Sequence, residues 1–503
     1  MNSPAQTART LSPRDIRFVV VGAMLAMFLA ALDQTIVAPA LPPIARDLGD
    51  FALISWIVTA YLLTATCVTP IIGKLSDLYG RRRVLAACLL IFMASSVLCA
   101  LAPSMSWLII GRALQGIGGG GLIPLAHTII ADVVAPRERG RYAGYFSVVW
   151  AGAAVLGPVL GGLLTEQYGW PCIFWINLPL CGIGLLIADR ALRRLPVEGR
   201  RARIDYASSA LLMVATAALL TVLSLGGKGR SWFAPEIVGA AVVALALGGL
   251  FVRLQARAAD PILPPRFLAD GVIRPVLAAS CLIYGCYLSI VVLTPIYMQV
   301  ALGRPVSETG LLMIPLILAS TVTANYGGRH SQRSGRYKPS LLVGLPVSIV
   351  ALALLGLLAD RLSPWVASVL LMAVGAGLGP TFPASTVAVQ NAVDRRDLGT
   401  VSGALAFSRA LGAAIMVAAA SAVVLGLAAS ALPDAGPASS LEDLARQDLP
   451  EAARIAVSHA FGIAFGALGA ALLAAFVILA RVEERPLGSR AGIDATPAAD
   501  RAP

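Results

Sequence analysis

Charge is scarce in this chain. Asp, Glu, Lys and Arg together make 13% of its 503 residues, where a soluble globular domain carries roughly 25%. So little polar surface cannot coat a water-soluble body of this size. Histidine is scarcer still: His127, His330 and His459 are the only three, too dispersed for a metal centre. Seven cysteines (Cys67, Cys88, Cys99, Cys172, Cys181, Cys281, Cys286) are scattered through apolar runs without ligand-like spacing. They read as small core residues, not as a disulfide framework or a zinc site. A cleavable leader is not expected, because the polar stretch from Met1 to Arg17 runs into an apolar segment too long for a signal peptide. The glycine run Gly118–Gly121 follows no strand and precedes no Lys-Ser/Thr, which rejects a phosphate loop. With no nucleophile–base pair and no ligand cluster, neither an enzyme nor a bound metal or cofactor is expected.

What the chain has instead is apolar length. Hydrophobic residues make up 58%, and the mean hydropathy is +0.81. They fall in runs of roughly 18 residues or more, each able to cross about 30 Å of hydrocarbon as a helix. Backbone groups in lipid must be satisfied within the segment, and the short alternating strands of a β-barrel are not visible. Fourteen such runs can be counted. With the N-terminus placed in the cytoplasm, 30 of the 39 Lys and Arg fall in inner tails and loops. Seven fall outside (Arg46, Lys228, Arg230, Arg304, Arg361, Arg446, Arg454), and Arg112 and Arg409 lie within spans. This is the positive-inside pattern, so both termini are expected in the cytoplasm of an inner-membrane, multi-pass protein. The net charge of +12 then marks topology and contact with anionic lipid rather than nucleic acid.

The chain repeats itself. Gly73-Lys-Leu-Ser-Asp77-Leu-Tyr-Gly80-Arg81-Arg82-Arg83 follows span 2, and Gly328-Arg-His-Ser-Gln-Arg-Ser-Gly335-Arg336-Tyr-Lys338 follows span 10. Gly118–Pro124 in span 4 is echoed by Gly375–Pro380 in span 12. Span 9 is therefore the counterpart of span 1. The expected order is a cytoplasmic tail (1–16), a six-helix bundle (17–192), a basic linker (193–206) and an inserted helix pair (207–254). A second linker (255–272), a second six-helix bundle (273–480) and a disordered cytoplasmic tail (481–503) complete it. Parallel six-span repeats with a substrate site between them are a transporter plan.

Five segments in order resemble the fourteen-span drug:proton antiporters of the major facilitator superfamily. Leu32-Asp33-Gln-Thr-Ile-Val-Ala-Pro-Ala-Leu-Pro-Pro43 resembles that family's opening signature, and Gly73–Arg83 its loop motif between spans 2 and 3. Ile110-Gly-Arg112-Ala-Leu-Gln115-Gly116 is similar to the arginine motif of span 4. Gly157-Pro158-Val-Leu-Gly161-Gly162 resembles the antiporter motif of span 5, with Ala153 where the family usually has glycine. Tyr168–Pro179 resembles the entry into span 6. The resemblance implies an all-α membrane fold of two six-helix bundles plus an inserted pair. It also implies proton-coupled export of small amphiphilic compounds such as drugs, dyes and antibiotics, by alternating access. A facilitator or exporter of lipids or metabolites, or an uptake symporter, would share the fold. The chain is expected to function as a monomer.

Candidate residues follow from the cost of charge in lipid. A carboxylate at mid-membrane costs roughly 2.5–3.5 kcal/mol or more, so Asp33 is the expected proton carrier, the alternative being a packing hydrogen bond to Thr35 or a neighbour. At 1.5 Å per residue, Asp33 lies about 12 Å and Arg112 about 8 Å below their outer helix ends, close enough in depth to pair. Gln115 lies one turn on. Arg112 is either a coupling partner or a static strut. Gly73, Asp77, Gly80, Arg81 and Arg82 are expected to form a cytoplasmic latch between the halves, the alternative being topology alone. Gly157, Pro158, Gly161 and Gly162 are expected to bend span 5 and admit a close neighbour. Trp56, Tyr61, Phe146, Trp150, Tyr284, Tyr287, Met298, Asn325 and Arg409 are candidates for the substrate cavity; the aromatics and Met298 are equally readable as lipid-facing or packing residues, and Arg409 as a structural cation paired with a carbonyl or polar residue of the second half.

Overall fold

A computed structural model describes residues 13–50, 53–192, 206–226, 234–258, 261, 264–431, 444 and 451–487. The basic linker up to Asp205, Lys228, Arg230, Arg446, the Ser440-Leu-Glu-Asp443 segment, whose sequence suits the cap of a short helix, and the tail from 488 lie outside the described residues. Within them every regular element is helical.

The N-terminal bundle comprises α1 (Pro13–Ile36), α2 (Ile54–Tyr79), α3 (Arg81–Ala100), α4 (Met105–Val133), α5 (Pro136–Tyr168) and α6 (Asn177–Leu192). The inserted pair is α7 (Tyr206–Gly226) and α8 (Pro235–Arg257). The C-terminal bundle comprises α9 (Ile273–Val300), α10 (Val306–Ser334), α11 (Leu345–Leu357), α12 (Pro364–Leu378, continued by Thr381–Asn391), α13 (Leu398–Ala431) and α14 (Glu451–Ala480). Among the described residues, thirteen helical segments are long and apolar enough to cross a membrane, and α7 adds a shorter apolar stretch, Ala207–Leu223.

Local chemistry sets the boundaries. The Ser104 hydroxyl accepts from the Trp107 amide at 3.3 Å and caps α4. Proline opens α5 and α8, where its missing N–H costs nothing. Asp270 accepts from the amides of Val272 (2.7 Å) and Ile273 (2.9 Å) at the head of α9. The two repeated loops turn on glycines with positive φ, +85° at Gly80 and +69° at Gly335, a conformation other residues rarely adopt.

Each bundle buries its own core. One cluster runs from Phe267 to Leu487 and contains only C-terminal residues. The main N-terminal cluster gathers residues such as Leu29, Phe92 and Leu125. Among the described residues no buried cluster spans the seam, so each half has its own core. On the outside, side chains such as Leu245 and Leu357 (each 78% exposed) would be unfavourable in water and suit lipid. Helix α7 touches both α2 and α13 at the seam, while α8 packs on α7 from outside.

One expectation needs correction. Residues 481–487 are not a loose tail. Arg336 pairs with Glu484 (2.7 Å), Arg485 with Asp270 (3.1 Å), and the Leu487 amide donates to the Gly335 carbonyl (3.1 Å). Composition alone suggested disorder, but these polar side chains have fixed partners on the loops of the C-terminal bundle.

Candidate functional site

Asp33, on α1, is fully buried and accepts three hydrogen bonds. Arg112 Nη1 reaches Oδ2 at 2.7 Å, and Gln115 Nε2 and Asn177 Nδ2 reach Oδ1 at 3.0 and 3.1 Å. Ser96 on α3 accepts from both amides, at 2.8 and 3.2 Å. Arg112 also donates to Gln115 Oε1 (2.6 Å) and to the Ile57 carbonyl (3.2 Å), and its guanidinium carbon lies 4.4 Å from the Tyr61 ring centre. Donors from two helices, α4 and α6, thus converge on one carboxylate of α1, and Ser96 of α3 ties the two amides together. Such a pair gains strongly from Coulomb attraction at low dielectric, and breaking it by removing one partner costs about 3–5 kcal/mol. Thr35 does not bond Asp33; its hydroxyl donates to the Ala153 carbonyl on α5 at 2.9 Å.

That Thr35 bond lies within the close α1–α5 crossing. A Cβ on Gly157 would strike the Thr35 hydroxyl, and one on Gly161 the Ile36 carbonyl. Gly162 faces open space and takes no part, while Pro158 sits inside an unbroken α5.

At the end carrying the basic loops, the two halves meet. A Cβ on Gly73 would overlap the Gly399 carbonyl of α13, and one on Gly328 of α10 would overlap the Gly140 carbonyl of α5. Asp77 accepts from the amides of Gly399 (2.9 Å) and Thr400 (2.6 Å) and from the Thr400 hydroxyl (2.6 Å). Arg81 lies between Asp77 and Asp132, 2.9 Å from the latter, and so holds Asp77 in place. Arg82 stays within its own half, half-exposed against Asp189. On the other side of the seam Arg137 donates to the carbonyls of Gln332 and Arg333, both at 2.9 Å. Arg139 donates to the Gln390 carbonyl at 3.3 Å. These hydrogen bonds between the halves all lie toward this end.

Beyond the contacts a cavity of about 700 Å³ opens between the bundles, from His127 and Ser402 toward Val58 and Val292. Its size suits a drug-sized ligand. Of the candidates, Tyr61, Phe146, Trp150, Tyr284, Tyr287 and Arg409 line it, and Arg112 reaches its wall. Three do not. Trp56 is exposed on the outer surface of α2, and Met298 is fully buried in the C-terminal core. Asn325 is packed against Gly144 in the closed seam. Helical depth alone does not tell which way a side chain faces. Leu220 and Leu223 of α7 also contribute to the wall, so the inserted pair is part of the site.

Sequence reasoning missed Asn177, Ser96, His127, Ser385 and Thr386. Asn177 carried the best signal, an amide inside an apolar run within a quoted motif. Ser96 and Ser385 carried none, because a hydroxyl in a span usually bonds its own helix.

The family model described as Major Facilitator Superfamily matches residues 23–417. The multidrug transporter protein MdtP of Bacillus subtilis (strain 168) is 35% identical over 414 residues, covering 81% of this chain and 74% of that one. The uncharacterized MFS-type transporter Rv1877 of Mycobacterium tuberculosis (strain ATCC 25618 / H37Rv) is 36% identical over 403 residues, 80% of this chain but 58% of that longer protein. Among solved structures, the human organic anion transporter MFSD10 (TETRAN) superposes with a TM-score of 0.63 at 19% identity, over 93% of this chain and all of that one. At that identity the likeness shows the fold alone. With two separately cored bundles, a cavity between them and a matching family model over most of the chain, this protein belongs to the major facilitator superfamily and is a multi-pass membrane transporter, not an enzyme.

Proposed function

We propose that the protein exports small amphiphilic compounds in exchange for protons, with Asp33 as the titrating group. The carrying observation is that Asp33 and the cavity share one residue. Arg112 binds Asp33 on one side and reaches the cavity wall on the other. A carboxylate that only accepts hydrogen bonds suits the deprotonated state. A proton on Asp33 removes the charge pair, forces at least one donor away and releases the guanidinium toward the cavity. A ligand in the cavity acts on the same guanidinium from the other side, so proton and ligand compete through it. The basic end is taken as cytoplasmic, with both termini there. The closed seam then represents the outward-facing state, and the Asp77 contacts are the latch that must open for inward access. The printed names of relatives, a multidrug transporter and several efflux pumps, support export of drug-like molecules.

The test is transport in proteoliposomes under an imposed pH gradient. Asp33→Asn keeps the shape and removes the titratable group. Uphill accumulation is expected to vanish while exchange of substrate down its own gradient persists. Full proton-driven accumulation by the Asn variant overturns the assignment.

A further inference from the structure

Arg409 is a cation without a counter-ion. It projects from α13 into the cavity, and its Nη2 donates to the Phe382 carbonyl (2.9 Å), Ser385 Oγ (2.8 Å) and Thr386 Oγ1 (3.3 Å). Its buried Nε has no partner, and no carboxylate among the described residues pairs with it. Among the described residues, the ionisable side chains facing the cavity are Arg112, Arg409, His127, Tyr61, Tyr284 and Tyr287, with no Asp or Glu. Asp33, the nearest carboxylate in the network, is fully buried and already neutralises Arg112.

We infer that the cavity takes amphiphilic organic anions, with Arg409 gripping a carboxylate, sulfonate or sulfate head. An uncompensated cation in an apolar site is costly, and a bound anion would remove that cost. Five donors in a planar fork match a two-oxygen head group, and only one nitrogen of the fork is engaged by protein. Tyr284, Tyr287 and Phe382 stand beside it as an aromatic slot, with Phe382 edge-on to both at 6.0 and 5.4 Å, ready for an apolar body. A cationic amphiphile would meet the opposite: no free carboxylate and an unscreened like charge. Arg409 as a mere strut between α13 and the Thr381–Asn391 segment needs Nη2 alone and leaves its charge without a counter-ion.

The proposal rests on the export reading only for the direction of travel, so binding is measured without a gradient. Purified protein in nanodiscs is titrated with three probes sharing one apolar body: pyrenebutyrate, pyrenebutanol and pyrenebutyltrimethylammonium. The wild type is expected to bind the anion at least about tenfold tighter than the alcohol, and the cation least well, as charge-assisted hydrogen bonds in a dry site require. Arg409→Gln is expected to erase that preference. Arg409→Lys is expected to keep part of it, since the charge remains and the fork is lost. Equal affinities in the wild type, or a preference for the cation, overturn the proposal whether or not the Gln variant folds. Anion preference that survives in a monodisperse Arg409→Gln protein overturns it as well. If the anion binds as expected but a pH gradient drives no efflux, the export reading falls and this assignment stands. If a gradient drives efflux of the alcohol or cation and not the anion, the reverse holds.

Discussion

The two crossings that close the basic end are built alike in backbone and oppositely in charge. In the first, α2 meets α13 at Gly73 and Gly399; in the second, α10 meets α5 at Gly328 and Gly140. Gly73 and Gly328 hold equivalent places in the repeated loop motif, as do Gly80 and Gly335. The residue four beyond the first glycine is Asp77 in one repeat and Gln332 in the other. Asp77 lays a carboxylate on the amides at the start of α13, whereas Arg137 lays a guanidinium on carbonyls at the end of α10. Each charge has the sign that the facing helix dipole favours. The repeat has preserved the close backbone approach, and the side chain added to it follows from which end of a helix it must cover. The settings also differ: the Asp77 side chain is 4% exposed, while Arg137 lies on the surface.

A methyl group added at either crossing is expected to disturb closure most. Gly73→Ala and Gly328→Ala each push a Cβ into backbone that cannot yield like a side chain. Overpacking of this kind costs about 1–3 kcal/mol, or roughly five- to 150-fold in the balance between closed and open forms. Spin labels at the exposed Tyr79 and Arg396, near the ends of α2 and α13, report the first crossing directly. Both variants are expected to lengthen the label distance, because one seam cannot close without the other. A Gly328→Ala protein with an unchanged distance distribution would show that the crossings act separately.

Asp77→Asn removes the charge at the first crossing and keeps its shape. A buried hydrogen bond to a charged group is worth about 1.5–3 kcal/mol, and the amide loses part of that with both Thr400 donors and Arg81. Transport is expected to slow by about tenfold with substrate affinity nearly unchanged, since Asp77 is remote from the cavity lining. Equilibrium binding that collapses in a folded Asn variant sinks the latch assignment.

The difference between these crossings also shows how far the sequence could be read. The helical class, the repeat and the Asp33–Arg112 pairing were legible because charge in an apolar run has few places to go. The glycine spacing marked both loops. That Arg82 would stay within its half, that Gly162 would face outward, and that Met298 would sit in a core were not legible. Each depends on the rotation of a helix about its axis, which hydropathy cannot set when lipid and core are both apolar. The same ambiguity hid the α7 wall of the cavity. Arg137 went unnoticed for another reason: it is one of many cytoplasmic cations, and the positive-inside pattern already accounted for it.

Arg137→Gln carries the smallest expected effect and tests the charge argument most directly. Its two acceptors are neutral carbonyls, and the side chain is exposed, so solvent and salt screen whatever the helix terminus contributes. Surface charge–dipole interactions are worth about 0.3–1 kcal/mol. The closed population should therefore fall by no more than about fivefold, and the deficit should shrink as ionic strength rises, because the wild type loses its electrostatic share too. Gln can still donate one hydrogen bond to the Gln332 or Arg333 carbonyl, so any loss measured at low salt reports charge more than connectivity. Arg137→Glu places the wrong sign at the same helix end and is expected to open the seam further than Gln does, again most at low salt. The Tyr79–Arg396 label pair measures both variants from the opposite crossing. Equal effects of Gln and Glu at low salt would mean that Arg137 acts only as a hydrogen-bond donor, and that the sign of charge matters at the Asp77 crossing alone.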